Sequence, residues 1–304
     1  MANYDGWINQ SKGADNWGTA PTMTALYRFG VGADDGAVLN TKFSQQVHQI
    51  EQNGVYSNTL QLGNKTMDSI GGVFVPVNLL PFHWLLGKTT DSTGTKTITH
   101  LDGTARNQRI ATFQHTQDMK YQTLGTVVSD LVLDWRADMA ALVCQINAKA
   151  QDHGKVALSP TYSYPSDIDT MYNHLTMTWN GAAVKPIKFN ATLGRTLGTF
   201  ISGSTGKYSR ISEFNPVIGG YTLQFIASEG ETIFDDFDTG TKRSLVTRLD
   251  KADNAHYFTI TNDVYINDVN VERVYGFPVY TVSCVTEDIN IVGTDGVANS
   301  FYGL

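Results

Sequence analysis

The residues best suited to chemistry in this 304-residue chain are three carboxylates within four positions, Asp235, Asp236 and Asp238. Close carboxylates can divide acid and base roles, or hold a divalent cation. On a short helix, however, neighbouring acids point in different directions, so these three read as a solvated or interface-facing surface. Gly30-Val31-Gly32-Ala33-Asp34-Asp35-Gly36 has the outline of a dinucleotide loop. Its third glycine falls one residue late and no helical pattern follows, which leaves a turn. Neither a Gly-x-Ser-x-Gly elbow nor a His-Glu-x-x-His motif occurs, and the seven histidines are scattered without ligand spacing. Asn262, Asp263, Asn267 and Asp268 read as turn residues. Asn64-Lys65-Thr66 and Asn190-Ala191-Thr192 match the glycosylation triplet, which has no meaning without a secretory leader. The expectation is no catalytic residue, no cofactor site and no metal site.

Charge narrows the partners. The formal net charge is −7, with −1 carried by residues 1–150 and −6 by the remainder. A protein that grips nucleic acid needs clustered Lys and Arg to displace counterions from phosphate. The only loose basic grouping is Lys185, Lys188, Arg195, Lys207 and Arg210. Contact with DNA is therefore expected to be passage rather than binding. Cys144 and Cys284, the only cysteines, both sit in strand-like runs where a thiol behaves as a small apolar group. Two cysteines in a chain this long make no disulfide framework. The N-terminal residues lack a basic start and an apolar stretch, and no window approaches the ~20 apolar residues of a membrane span. The expectation is a chain made and folded in a cytoplasm, with no membrane partner.

Composition points to the elements that would position such residues. Gly, Thr, Asn, Tyr and Val recur, whereas runs of Glu, Lys, Ala and Leu are absent, a bias toward strands joined by turns. In Leu142-Val143-Cys144-Gln145-Ile146-Asn147-Ala148-Lys149 the even positions are apolar, as in a strand with one buried face. Leu131, Leu133 and Trp135 share a face just before it, with Arg136–Ala140 as the turn. A helix over Asp134–Ala150 is the rival reading, since Ala and Met favour it. Further strands are expected at Leu245–Leu249, Tyr257–Thr261, Val269–Val274 and Val279–Val285, with Pro278 marking a bend or an edge. Two segments break the pattern. Asn78–Gly87 carries Pro in its first turn and Gly at its end. Ser228-Glu229-Gly230-Glu231 reads as a capping box opening a helix to Gly240.

These helices hold equivalent places. Ile70-Gly71-Gly72 precedes the first and Ile218-Gly219-Gly220 the second, at a spacing of 148 residues. Phe43–Val47 faces Phe189–Leu193, and Thr112–His115 faces Phe258–Thr261, both at 146. Each half reads strand, long loop, strand, short helix, strands, so an internal duplication is expected. The Gly-rich stretch Leu193–Pro216 and its counterpart Ile50–Ser69 are too long for turns and read as arms that order on a neighbouring subunit.

Ser11-Lys12-Gly13-Ala14-Asp15-Asn16-Trp17-Gly18-Thr19-Ala20-Pro21 resembles the opening of tail tube proteins of long-tailed phages and related archaeal viruses. Gly71–Gly87 resembles their strand leading into a short helix that ends in Leu-Leu-Gly, and Arg109–Lys149 the strand pairs that follow. Together these cover about half the chain. The resemblance implies an all-β fold of two tandem tail-tube-like β-sandwich or barrel modules, residues 1–153 and 154–304, each with one short helix. It further implies a structural virion protein whose rings stack into the conduit for genome ejection. Six sandwich units form a ring in that family, so three two-module chains would form a pseudo-hexameric ring, with a hexamer as the alternative. The implied partners are further copies, the tape measure, terminator and distal tail proteins, and viral DNA passing through the lumen. The implied location is the virion tail, after assembly in the host cytoplasm. A β-rich adhesin or carbohydrate-binding module would also account for the 11% aromatic content, and a β-fold hydrolase with paired acids is a third reading.

Overall fold

Alternation of apolar and polar residues turns most of this chain into strands. The computed structural model describes residues 7–10, 25–28, 30–32, 40–52, 55–100, 111–115, 121–150, 152–155, 161–163, 171–201, 208–213, 217–274, 276–286 and 289–302. The first half contains β1 (Trp7–Gln10), β2 (Ala25–Arg28), β3 (Gly30–Gly32), β4 (Asn40–Gln52), β5 (Val55–Pro76) and α1 (Leu80–Leu86). It continues through β6 (Gly87–Ser92), β7 (Thr95–His100), β8 (Ala111–His115), β9 (Tyr121–Arg136), β10 (Val143–Lys149) and β11 (Asp152–Lys155). The second half holds β12 (Thr161–Ser163), β13 (Tyr172–Trp179), β14 (Ala182–Val184), β15 (Pro186–Gly194), β16 (Leu197–Ile201) and β17 (Tyr208–Glu213). Then come β18 (Ile218–Ile226), α2 (Ala227–Thr239), β19 (Arg243–Lys251), β20 (Tyr257–Val274), β21 (Phe277–Thr286) and β22 (Asn290–Thr294). The fold is all-β and the ladders are antiparallel, apart from the short parallel pair β12–β2.

One pairing scheme occurs in both halves. In the first, the order β2–β1–β8–β9–β11 makes an outer sheet, through β9 residues 121–126. The rest of β9 leaves that sheet and pairs β10, which pairs β5, which pairs β3 and β4. In the second half the outer order is β14–β13–β19–β20–β22. Residues 265–274 of β20 then pair β21, which pairs β18, which pairs β15. Gly125, at φ 59°, lies where β9 changes sheets, in the left-handed conformation that glycine adopts without a Cβ clash. The two inner ladders join because β9 also pairs β15, from Lys188↔Arg136 to Gly194↔Asp130.

The Ile-Gly-Gly match does not survive at residue level. Gly71 sits opposite Asn147 on the polar face, whereas Gly219 sits opposite buried Thr286 on the core side. An even spacing of 148 matches residues on opposite faces, and side chains alternate with period two. Thr112–His115 and Phe258–Thr261 also differ in place: the first belongs to β8, beside β9, while the second lies in β20, which holds the position of β9. The expected division at 153/154 falls inside β11, which pairs β9.

Both helices end as expected, on Gly87 (φ 93°) and Gly240 (φ 63°). The second starts differently. Its N-cap is Ile226, the last residue of β18, so Ser228 lies inside the helix and no side chain caps it. The strand runs straight into the helix and leaves no loop in which a capping box could form. Asn262, Asp263, Asn267 and Asp268 lie within β20 rather than in turns. Long-range pairing to β19 and β21 overrides their local preference, and only Asn267 marks an irregularity, the bulge between Ile266 and Asp268. Asn262 is buried and donates to the Tyr221 hydroxyl. The rival helix at 134–150 does not form: Cys144, Ile146 and Ala148 are buried in β10 as the alternation predicts.

All seven residues of α1 are buried, and Phe82 packs on Phe258 of the second half at 4.9 Å between ring centroids. Tyr172 meets Phe258 at the same distance, so a helix from one half completes the core of the other. Asp295 anchors that contact. Its carboxylate accepts from the Leu79 N–H at the start of α1 (2.9 Å) and from the Tyr302 hydroxyl, and pairs with buried Lys96 at 2.8 Å. Removing one partner of a buried ion pair strands the other charge. Asp295→Asn should therefore lower stability by about 3–5 kcal/mol, while Lys96→Met with Asp295→Leu should recover part of the loss. Urea unfolding midpoints of the three proteins measure this; an unchanged midpoint for Asp295→Asn would contradict it.

Candidate assembly surfaces

The carboxylates at 235–238 do not converge. Asp236 is buried, accepting from the Trp179 indole N–H at 2.7 Å and from Arg243 Nε at 2.8 Å, while Asp235 and Asp238 are exposed. That arrangement ties α2 to β13 and β19 and presents no paired acids. The basic grouping is likewise dispersed. Arg195 is buried and donates to the Val128 carbonyl at 3.0 Å, whereas Lys188 lies on the outward side of the inner sheet. Lys207 and the Ser11–Pro21 segment lie outside the described residues. No cluster of three or more His, Cys, Asp or Glu that could hold a metal occurs among the described residues. No described helix is long and apolar enough to cross a membrane.

The segments read as long loops contain hairpins. Ile50–Ser69 belongs to β4–β5, whose ladder runs from Asn40↔Gly71 to Gln52↔Val55. Leu193–Pro216 contains β16–β17, paired from Leu197↔Glu213 to Ile201↔Tyr208 as a separate two-stranded sheet. The loop reading failed because Gly, Ser and Asn dominate these stretches, while cross-strand pairing, not composition, decides a hairpin. Each hairpin connects strands that hold the same place in the two halves.

The inner sheet has two faces. Its core face carries Phe74, Leu133, Cys144, Ile146, Phe189, Leu223 and Cys284, all buried. The opposite face is built from rows of residues at matched register. One row runs Val143, Asp134, Asn190, Thr222, Ser283 and Asp268. The next runs Arg136, Lys188, Gln224, Thr281 and Asn270. Side chains bridge neighbouring strands here: Asn147 Nδ2 donates to Asp130 Oδ1 at 2.5 Å, and Gln224 Nε2 to Thr281 Oγ1 at 3.2 Å. Among the described side chains of this face, Asp130, Asp134, Asp268 and Glu272 stand against Arg136, Lys149 and Lys188, close to neutral. No residue spacing in the sequence could reveal it, because its rows join strands far apart in the chain.

The two ends of this sheet differ from its middle. Among the described residues, 265–274 of β20 pair only β21, while β3 and β4 pair β5. Unpaired edges template further strand addition unless they are covered. No family model matches this chain, and no curated protein matches its sequence.

Cys144 and Cys284 are free and buried on the core face, in strands that hold the same place in the two halves. Burial pushes the Cys284 thiol up to about 12 and raises Cys144 well above its ordinary value. Both should resist Ellman's reagent at pH 8 and react fully in denaturant. In the unfolded chain each thiol ionises near its ordinary value of ~8.5, so the folded state holds the extra proton above it. Stability should thus be flat with respect to these groups below that pH and fall as pH rises past it. Prompt labelling of either native thiol would contradict the packing.

Proposed function

We propose that this chain is a non-enzymatic structural subunit of a viral tail tube, built from two tandem tail-tube-like β modules whose rings stack into a conduit for genome ejection. The observation that supports this most is the recurrence of one pairing scheme in the two halves, joined edge to edge by β9 and β15. A unit that continues its sheet into the next unit inside one chain has the means to do so between chains. Head-to-tail contacts that close give rings. With two units per chain, a ring of six units needs three chains.

The polar face of the inner sheet is the surface we assign to the bore. Duplex DNA carries a charge every ~1.7 Å of its axis, so a basic lining would retain the genome through many phosphate contacts. A lining of Asn, Thr, Ser and Gln with nearly balanced charge lets it slide. The ends of the stacked rings would meet the tape measure, terminator and distal tail proteins in the virion tail, after assembly in the host cytoplasm. The adhesin or glycan-binding alternative needs an exposed aromatic platform. The exposed rings among the described residues, Phe234, Phe237, Tyr265 and Phe277, lie on α2, β20 and the start of β21, beside the open strand edge, where a subunit contact would use them.

Negative-stain microscopy and mass photometry of the purified protein should show closed rings of three chains. Six chains per ring would remove the two-module reading, and a persistent monomer would remove the tube. Mobility shifts with linear duplex DNA should show no binding at physiological salt, because Arg136, Lys149 and Lys188 make too few phosphate contacts. Salt-sensitive binding at micromolar protein would replace the passive bore with a DNA-gripping one.

A further inference from the structure

The carboxylate that anchors α1 also sits in an arrangement suited to joining an amine to a carboxyl group. Lys96 Nζ stands 2.8 Å from Asp295 Oδ1, and the side chains of both residues are withdrawn from solvent. The other oxygen, Oδ2, accepts from two donors, the Leu79 N–H at 2.9 Å and the Tyr302 hydroxyl. We propose that Lys96 and Asp295 condense after folding into an intramolecular amide, a covalent lock between the two halves of the chain.

The backbone brings the two groups together. β7 pairs β22 antiparallel, with Lys96 directly opposite Gly293 and Ile98 opposite Ile291. Both isoleucines are fully buried, and Asp295, two positions beyond Gly293, continues the same face. Diagonal neighbours across an antiparallel pair lie ~7–8 Å apart, within reach of a long side chain. Gly293 has no side chain to stand between them, and a Cβ there would run into the Tyr257 carbonyl oxygen. Tyr302 brackets the pair, with its hydroxyl on Oδ2 and its ring centroid 5.0 Å from Nζ. Burial, reinforced by the Asp295 charge, holds that hydroxyl well above its ordinary range, so it stays a donor.

Burial costs both charges their hydration, and moving one proton from Nζ to Oδ1 relieves that cost. A desolvated lysine amine is a nucleophile. Its lone pair forms the Nζ–Cγ bond while the carbonyl electrons move onto Oδ2. Two donors aimed at one oxygen are what stabilises a developing oxyanion. When the carbonyl re-forms, the Cγ–Oδ1 bond breaks, and Oδ1 takes a second proton from Nζ and leaves as water. An ammonium and a carboxylate thus become a neutral amide and one water, and no further reactant is consumed. Two groups held at contact distance can act at effective molarities of about 10⁵ M or more. Burial then keeps bulk water from reversing the step.

The lock does not depend on the tube reading. The test is the intact mass of the full chain, incubated in its folded state and then denatured. The wild type should be one water lighter than its sequence, and digestion should release a branched peptide that joins Lys96 to Asp295. Lys96→Arg keeps the cation but has no amine to acylate, so it should retain its full mass. It should also migrate more slowly on a denaturing gel, since a cross-link constrains the unfolded chain. Tyr302→Phe removes one donor to Oδ2 and should slow the mass change after synthesis roughly tenfold or more. A wild type that keeps its full mass after prolonged incubation would overturn the lock and leave a permanent ion pair. A loss of water that persists in Lys96→Arg would belong to another reaction, such as a cyclic imide at Asp295-Gly296, and would overturn it equally. The wild-type mass and the branched peptide decide the question even where Lys96→Arg fails to fold.

Discussion

Strand β9 constrains the rest of the molecule, because its 16 residues belong to two sheets and to both halves. Its first residues pair β8 and β11 in the outer sheet, and its last residues are sandwiched between β10 and β15. A strand paired on both sides cannot slip by one residue without turning every core side chain outward. Leu131, Leu133 and Trp135 thus set the facing of Phe189, Ala191 and Leu193 across the junction. Gly125 makes the change of sheets possible. The positions of α1 and Asp295 follow, since α1 packs between β9 and the sheet of the second half.

What the sequence made legible is what local physics decides. The alternation in 142–149 is visible because one face of β10 is buried and the other is not. The helices are visible because Pro81 near the start of α1 and glycine just past both helix ends answer steric demands within a few residues. The loops and β20 were illegible for the opposite reason. Asn262, Asp263 and Asp268 favour turns in isolation, but each is held by a neighbour more than ten residues away, in β19 or β21, and Asn267 is carried between them as the bulge. The polar face of the inner sheet is further out of reach. Asp134, Asn190 and Ser283 become neighbours only after three ladders have formed.

The recurring pairing scheme and the failed Ile-Gly-Gly match show that the halves share strand order without sharing residue positions. Strand order tolerates insertions such as the β6–β7 hairpin, which follows α1 and pairs β22 of the other half, while α2 leads directly toward β19. Facing is the invariant, since a strand with an odd residue inserted must bulge or turn its core outward. The bulges of the two inner ladders sit at different places, at Asn147/Ala148 opposite β9 and at Ile266/Asp268 within β20. Residue identity differs between the two halves while the order of pairing partners is the same.

Fusing two such units in one chain changes the energetics of a closed ring. Each association between separate chains costs an estimated 4–15 kcal/mol of translational and rotational freedom. A junction inside the chain, such as β9–β15, meets none of that cost, since its two strands are held at high effective concentration by the segment that joins them. In the proposed ring, half of the six unit-to-unit contacts are of this internal kind. The remaining three can then be weaker than those of a ring of six single units. The exposed edge of β20 fits that division, being the less buried of the two equivalent edges in the isolated chain. An edge that must wait for a partner has to stay soluble until it finds one. Asp268, Glu272 and Arg273 place charge on a strand whose Tyr265 and Val271 are exposed, which disfavours indiscriminate pairing.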